Sequence, residues 1–274
     1  MAELAGGDFL YRKWGPAPPA GAPRAVFLLV HGLGAHTARW EFLAASLARS
    51  GYVAYGLELR GFGQTPERPR GHVDSFRAWD RDILGLRDLI GLDHPGLKVF
   101  LLGESMGGLV AFNLALSHPE RFAGLVLLSP AFKNGMKFPW TTYVKLILFL
   151  FLRPKLLVDL PFDSEMVTRD PAYLAVMKAS PDELRQASLK LLASFLPEQS
   201  RARHRAGRLA VPVLLLASGH DLLVDERAER QLFGRLALAD KTFIEYRDML
   251  HALSIDLGRE RVFQDIINWA GPRT

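Results

Sequence analysis

The sequence predicts an α/β fold in which a mostly parallel central sheet is flanked by helices and interrupted by an inserted helical cap. Two observations support this class. Residues 25–30, 122–128 and 212–217 are almost wholly apolar, as is typical of strands buried on both faces of a parallel sheet. Helix-like segments alternate with the strands, and this order favours a doubly wound sheet.

The elements of the first half can be assigned in order. Alternating polarity predicts an edge strand at 9–14, and apolar runs predict strands at 25–30, 52–57, 98–102 and 122–128. Helices are predicted at 37–49, which ends at a Ser-Gly pair, and from Asp74 or Ser75 to about residue 90. Another helix covers 109–117 and ends before Pro119, because proline cannot continue it.

The sheet pattern stops after residue 130, and we expect residues 131–206 to form a cap inserted into a core of residues 1–130 and 207–274. Residues 138–152 are strongly apolar and flanked by lysine and arginine. They form either a helix buried against the core or a lid that receives a lipid chain and contacts a membrane surface, and one helix can do both. A helix is also predicted at 181–192, with Ser180 as its N-cap.

Strands at 212–217 and 241–246 and a helix at 257–269 complete the predicted core. The basic run at 201–208 is interpreted as a solvated helix face or linker, with contact to an anionic membrane as the alternative.

The pattern Gly-x-Ser-x-Gly at residues 103–107 lies between a predicted buried strand and a helix. In that setting a tight turn exposes Ser105 and holds its Oγ above the sheet edge. Gly103 and Gly107 lack a Cβ, so the strand and the helix can pack closely around the turn. We predict that Ser105 is a nucleophile and that the N–H of Met106, at the start of the helix, donates to an oxyanion.

A glycine-rich loop at residues 31–34 directly follows the strand at 25–30. Because its backbone can approach a ligand closely, the Leu33 N–H is interpreted as the second oxyanion donor. A dinucleotide-binding loop is disfavoured, since the fuller G-x-G-x-x-G pattern is absent. His31 is interpreted as a structural brace for this loop rather than as a base.

A serine nucleophile needs a base and an orienting carboxylate. Asp221 and His251 follow the strands at 212–217 and 241–246, so both are expected at the carboxyl edge of the sheet, and the order Ser, Asp, His fits this fold type. The alternatives are His220 as the base and Asp225 or Asp248 as the acid. Asp225 stands at a predicted helix start, where a capping carboxylate is common.

Composition excludes several classes. The chain of 274 residues has a net charge of +5 and no cysteine, which excludes thiolate catalysis and cysteine-based metal sites. A nucleic-acid partner is not expected, because no basic stripe is interleaved with aromatic residues. We also expect no cofactor and no metal, since a serine mechanism requires neither. No apolar stretch approaches the roughly 20 residues of a membrane-spanning helix, and the first residues lack a signal-peptide pattern. We therefore expect a cytoplasmic protein, with peripheral membrane contact through the cap.

Several motifs together resemble the α/β-hydrolase family, and within it the branch of monoglyceride lipases and lysophospholipases, the S33-like hydrolases. They are His-Gly-Leu-Gly at 31–34, Arg-Gly-His-Val at 70–73, Gly-Glu-Ser-Met-Gly-Gly at 103–108 and Gly-His-Asp-Leu-Leu-Val-Asp at 219–225. The resemblance implies a cap over a tunnel for one acyl chain. Two departures bear on the headgroup end: Ala35 replaces a frequent glutamate, and Ser254 stands near the place of a second histidine. Five residues are expected to contact substrate: Arg39, Glu104, Phe138, Leu146 and Phe149.

The predicted function is that of a serine ester hydrolase acting on a lipid or ester, with monoacylglycerols as the first substrate class. Lysophospholipids and short-chain or aromatic esters are the alternatives. Acyltransferase activity is a further hypothesis, since exclusion of water from the acyl-enzyme would favour transfer of the acyl group to an alcohol. A non-catalytic binding protein would predict a broken triad, and none of the three positions is substituted. The sequence assigns no oligomeric state.

Overall fold

The computed structural model describes residues 4–5, 8–17, 21–135 and 149–274. The ten strands of the described residues are β1 (Leu4–Ala5), β2 (Leu10–Trp14), β3 (Val26–Val30), β4 (Val53–Glu58), β5 (Val99–Glu104), β6 (Gly124–Leu128), β7 (Leu157–Asp159), β8 (Gln186–Ser188), β9 (Val213–Ser218) and β10 (Lys241–Tyr246). Eight of them form the main sheet, with the spatial order β1-β2-β4-β3-β5-β6-β9-β10. The pairs β1–β2 and β2–β4 of this sheet are antiparallel, and its remaining pairs are parallel.

Helices cover both faces of this sheet, which confirms the predicted fold class. The α-helices assigned here are α1 (Glu41–Arg49), α2 (Phe76–Asp93), α3 (Met106–Ser117), α4 (Pro171–Ala179), α5 (Leu189–Arg205), α6 (Glu226–Gly234) and α7 (Arg259–Ala270). Alternate residues of β3 enter two different cores: Leu28 packs with residues of α2 and α3, whereas Phe27 and Leu29 pack with residues of α1 and α7. Burial on both faces explains why these strands are continuously apolar.

Most predicted elements are found within a few residues of their expected ends. Of the two predicted caps of α2, the structure uses Ser75, which accepts the Arg77 N–H at 3.2 Å. The predicted helix at 37–49 begins with a 3-10 turn (Thr37–Trp40) before α1. The basic run forms the last turn of α5 and the 3-10 turn after it, with Arg205 and Arg208 exposed.

The segment between β6 and β9 differs from its prediction in two ways. Within its described part it adds no strand to the large sheet, but β7 and β8 pair with each other, and these short strands were not predicted. The predicted helix at 181–192 is wrong, because the helix begins only at Leu189 and is capped by Ser188. The N–H groups of Leu184 and Ser188 donate to the carbonyls of Gly34 and Gly71, both at 2.8 Å, so this stretch stays extended along the core.

Two further points concern the same inserted segment, residues 131–206. Helix α4 was not predicted, although Asp170 caps it by accepting the Ala172 and Tyr173 N–H groups and Pro171 occupies its first turn. The predicted apolar helix at 138–152 lies mostly outside the described residues, and of it only 149–152 are seen, in helical conformation. Across the described ranges, none of the helices combines the length and apolar character needed to cross a membrane.

Candidate active site

Ser105 occupies the turn between β5 and α3 and has a strained backbone, with φ 56° and ψ −119°. Such a positive φ is rare for a residue with a side chain, so the surrounding structure must enforce it. The Ser105 N–H donates to the Leu128 carbonyl at 2.9 Å, and its own carbonyl accepts the Ala131 N–H at 2.9 Å. These bonds tie the turn to the end of β6 and fix the conformation that the motif predicts.

The two glycines of the motif are required by close packing, as predicted. A Cβ on Gly103 would lie 2.3 Å from the Gly107 carbonyl oxygen, and one on Gly107 would lie 2.1 Å from the carbonyl oxygen of Val30. Backbone atoms cannot move aside as a flexible side chain can. The start of α3 is therefore seated directly against the end of β3.

Residues 31–35, here called the glycine loop, run beside Ser105. A Cβ on Gly32 would lie 3.2 Å from the Ser105 Cβ and 3.7 Å from its Oγ. The backbone N–H groups of Leu33 and Met106 donate to no acceptor within the described part of the chain. Two backbone donors thus remain available next to the serine, as an oxyanion site requires.

His31 braces the glycine loop, which confirms its structural interpretation. Its Nε2 accepts the Leu59 N–H at 3.1 Å, and its Nδ1 lies 2.9 Å from the Gly32 carbonyl oxygen. Glu58, 3.4 Å from the His31 ring, also accepts the N–H and hydroxyl of Thr37. The histidine therefore has partners at both nitrogens and joins the ends of β3 and β4.

Asp221 and His251 are brought together at the carboxyl ends of β9 and β10. The His251 Nδ1 lies 2.7 Å from the Asp221 Oδ2, and the two side chains are only 5% and 2% exposed. The other carboxylate oxygen of Asp221 accepts the N–H groups of Leu223 and Val224 at 2.8 and 2.9 Å. The carboxylate is thereby oriented toward the imidazole.

The electrostatic environment of His251 favours its protonated form. Burial by itself lowers the pKa of His251, but the charge and hydrogen bond of Asp221 and the charge of Glu104 raise it more, so the net pKa is above the ordinary value of 6.5. An imidazole in this setting can accept a proton and hold it as an ion.

The competing residues are arranged differently. His220 is exposed, and Asp248 is paired with Arg261 at the surface. Asp225 caps α6 by accepting the Arg227 N–H at 3.0 Å, as its alternative interpretation predicted.

Glu104 and Arg39, both predicted to contact substrate, have protein partners. Glu104 is 4% exposed and accepts the N–H of Ser254 at 3.0 Å and its hydroxyl at 2.8 Å. Arg39 donates two hydrogen bonds to Glu183, at 2.7 and 2.5 Å. Their contact with substrate stays a prediction. Phe149 is 42% exposed, whereas Phe138 and Leu146 lie outside the described residues.

Sequence reasoning missed Glu183 and the bonding role of Ser254. Glu183 follows a proline and an aspartate, a pattern that reads as a helix start, and it lies 144 positions from its partner Arg39. The His36 ring is also within reach of Glu183, at 3.5 Å. No local pattern marks the contacts of Glu183 with Arg39 and His36, since they depend on how the inserted segment and the core loops meet. The contact of Ser254 with Glu104 joins residues 150 positions apart and has no local pattern either.

The turn after the central strand β5, with an acid and a histidine after later strands, makes this chain an α/β-hydrolase. It belongs to the serine aminopeptidase, S33 family, whose model matches residues 21–258. This result confirms the predicted branch.

Individual relatives and a solved structure support the same family assignment. The monoglyceride lipase of Homo sapiens is 34% identical over 98% of this chain and 89% of its own length. Phospholipase YtpA of Bacillus subtilis is 28% identical over 89% of this chain and 94% of its own length. The crystal structure of Paleococcus ferrophilus monoacylglycerol lipase superimposes with a TM-score of 0.86, at 28% identity, covering 99% of this chain and 100% of that one. The matches confirm the predicted enzyme class, a carboxylic ester hydrolase.

Proposed function

We propose that this protein hydrolyses monoacylglycerols, using Ser105, His251 and Asp221 as a catalytic triad. The observation that carries the proposal is the buried Asp221–His251 pair, 2.7 Å apart, at the sheet edge that also bears the strained Ser105. The relatives named monoglyceride and monoacylglycerol lipase support the substrate class.

In the first half-reaction, the Ser105 Oγ attacks the ester carbonyl carbon while His251 takes its proton. Asp221 keeps the His251 Nδ1–H in place and stabilises the imidazolium that forms. The carbonyl oxygen becomes an oxyanion that receives hydrogen bonds from the Leu33 and Met106 N–H groups. Each such donor contributes on the order of 10²- to 10³-fold to kcat.

The tetrahedral intermediate then breaks its bond to the leaving alcohol, which takes the proton from His251 and departs as glycerol. The acyl group remains esterified to Ser105. Water attacks this ester with His251 again as the base, and the fatty acid is released with the free serine. Protons and atoms balance without any further reactant.

We extend the proposal to residues 131–206 as a cap that covers the acyl chain, with core residues 1–130 and 207–274. Phe151 and Leu152 are 82% and 67% exposed, and Arg153 and Lys155 beside them are exposed as well. An apolar pair next to two cations suits the interface of an anionic membrane. The exposure of these residues therefore supports peripheral membrane contact. Phe149 in the same turn is a candidate contact for the lipid substrate.

A lysophospholipase is the second candidate. It is supported by the phospholipase relative and by Ala35, which stands where monoglyceride lipases often carry a glutamate. The chemistry at Ser105 would be the same, and the alternatives differ only in the headgroup that leaves.

The test compares fatty-acid release from a long-chain monoacylglycerol, a lysophosphatidylcholine and a short-chain nitrophenyl ester, using the native protein and Ser105→Ala. Preference for the monoacylglycerol, with an inactive variant, would support the proposal. Preference for the lysophospholipid would select the second candidate. Cleavage of the short ester alone would leave the triad standing and contradict the acyl-chain cap.

A further inference from the structure

Glu104 ends the central strand β5 and immediately precedes Ser105. It is 4% exposed, and a carboxylate there loses most of its hydration. Burial raises the pKa of Glu104, and the two bonds from Ser254 act in the opposite direction. An apolar side chain would fill this position at lower cost, so the carboxylate needs an explanation beyond packing.

The partner of Glu104 lies three positions after His251. The Ser254 N–H and hydroxyl donate to different oxygens of the carboxylate, at 3.0 and 2.8 Å, and Ser254 itself is fully buried. Two donors on two oxygens fix both the distance and the tilt between the connected backbones. One of those backbones presents the serine, and the other presents the histidine.

The loop that carries His251 is also held to other parts of the molecule. The Leu250 N–H donates to Asp256 at 2.8 Å, and the Ala252 N–H donates to the Val167 carbonyl at 3.0 Å. Asp256 is in turn paired with Arg169 at 3.0 Å. These contacts join the loop to itself and to the inserted segment, whereas the Glu104–Ser254 bonds run to the turn of Ser105.

We propose that Glu104 is a positioning residue, whose two bonds to Ser254 hold the loop of His251 in register with the turn of Ser105. The proposal rests on the function proposed above for Ser105 and His251. Reaction between the two groups requires their geometry to be kept within a fraction of an ångström, and a displacement of 1 Å costs about 10²-fold in rate. The negative charge of Glu104 also raises the pKa of His251, as the charge of Asp221 does, whereas the charge of Arg39 lowers it.

The test measures kcat, KM, the pH dependence of kcat/KM and the melting temperature for Glu104→Ala, Glu104→Gln and Ser254→Ala, with a soluble nitrophenyl ester as substrate. We expect Glu104→Ala to lower kcat about 10²-fold with KM changed less than about threefold. Glutamine can accept the Ser254 N–H and donate to its hydroxyl, so Glu104→Gln should recover most of kcat. Because Glu104→Gln removes a charge that raises the pKa of His251, the acidic limb of kcat/KM in this variant should move to lower pH.

Asp82 supplies the matched control. It is a buried carboxylate on α2 that accepts two bonds from Arg60, at 2.6 and 2.9 Å. Asp82→Ala should lower the melting temperature and leave kcat near the native value. Ser254→Ala, which removes one bond and no charge, keeps the test informative if Glu104→Ala does not fold: several-fold loss of kcat is expected.

Two outcomes would overturn the inference: native kcat in Glu104→Ala or in Ser254→Ala, or a loss of kcat in Asp82→Ala as large as that in Glu104→Ala. Failure of the roles proposed for Ser105 and His251 is distinguishable, because then the native protein itself, and not only the variants, would not cleave the nitrophenyl ester. Failure of the monoacylglycerol assignment alone would leave this comparison of variants unchanged.

Discussion

Glu183 of the inserted segment and Arg39 of the core form a buried ion pair held by two hydrogen bonds, at 2.7 and 2.5 Å. Their side chains are 8% and 10% exposed. Burial acts to lower the pKa of Arg39, but the charge and hydrogen bonds of Glu183 outweigh it and raise the pKa further. The next residue, Leu184, donates its N–H to Gly34 in the glycine loop at 2.8 Å. The ion pair therefore fixes the inserted segment directly against the proposed oxyanion site.

Loss of Glu183 should cost both stability and activity. Glu183→Ala leaves the charge of Arg39 buried without this partner, and we expect a decrease of about 3–5 kcal/mol in the free energy of unfolding. We also expect kcat/KM to fall, since Leu184 would no longer be held against the glycine loop. Denaturant unfolding and ester hydrolysis measure the two effects.

The control for Glu183 is Glu165→Ala, in the same segment, where the carboxylate pairs with Lys178 at the surface. An exposed pair contributes little to stability, so this variant should behave like the native protein. Equal losses in the two variants would contradict the role given to the buried pair.

Ser105→Ala should abolish turnover, with a loss of about 10⁴-fold or more in kcat. Ser105→Gly should be equally inactive but more stable than Ser105→Ala. Glycine adopts φ 56° without the strain that a Cβ introduces there. We expect its melting temperature to be higher by about 2–4 °C. A lower melting temperature in the glycine variant would show that the turn is not strained.

The acidic limb of kcat/KM should have its midpoint above 6.5, the ordinary pKa of histidine, because the pKa of His251 is raised. Below that pKa the imidazolium cannot accept the Ser105 proton, so activity rises as pH increases through it. Asp221→Asn removes the main group that raises the pKa, and the limb should move to lower pH while kcat falls about 10⁴-fold. A limb that stays in place in the variant would exclude His251 as the titrating base.

Glu229 on α6 provides a test of stability against pH. Burial raises the pKa of Glu229 well above its ordinary value of 4.5, and the charges of Asp221 and Glu226 raise it further. A carboxyl with a raised folded-state pKa stabilises the fold below its unfolded pKa, and this contribution is lost as pH rises through the folded-state pKa. Glu229→Gln, which stays neutral, should therefore have a higher melting temperature than the native protein at pH 8 and little advantage at pH 4.5.

Glu260→Gln is the surface control, since the Glu260 side chain is 76% exposed. It should shift the melting temperature little, and by similar amounts at both pH values. A pH-independent effect of Glu229→Gln would mean that Glu229 is ionised in the folded protein.

Membrane contact can be tested with vesicles of phosphatidylcholine and phosphatidylglycerol. Replacing Phe151 and Leu152 by serine removes two large exposed apolar side chains, each of which contributes about 1.5–3 kcal/mol when buried. We expect binding to weaken at least tenfold by sedimentation, in line with that estimate. Leu92→Ser, at an 84% exposed position on α2, is the matched control and should bind as the native protein does. Equal binding of all three would place the contact elsewhere.

The core could be predicted from the sequence because its signals are local. Strands such as β3 and β6 are buried on both faces and therefore read as continuous apolar runs. The turn of Ser105 could also be predicted, since Gly103, Gly107 and Ser105 stand within five residues. Asp221 and His251 followed from the rule that ligand sites lie beyond the carboxyl ends of parallel strands.

The inserted segment was predicted less well because long-range contacts decide its structure. Ser180 does accept an N–H, from Asp182 at 3.3 Å, as a helix cap would. The chain turns at residues 181–183 but does not continue as a helix, because the N–H groups of Leu184 and Ser188 are used by core carbonyls. These contacts override the local helix propensity, and no pattern within the segment reveals them.

Part of the seam between the inserted segment and the core is made of backbone, beside the side-chain pair of Arg39 and Glu183. Gly34 and Gly71 have φ values of 78° and 77°, and a Cβ there would lie 2.5 Å from the Leu184 carbonyl oxygen and 2.4 Å from that of Gln186. Contacts of this kind require two glycines on the core side and little in particular from the side chains opposite. Segments with other sequences can therefore be accepted at this part of the seam, provided that they supply a partner for the buried Arg39. Engineered chimeras that retain Gly34, Gly71 and a carboxylate opposite Arg39 can thus combine this core with a different inserted segment.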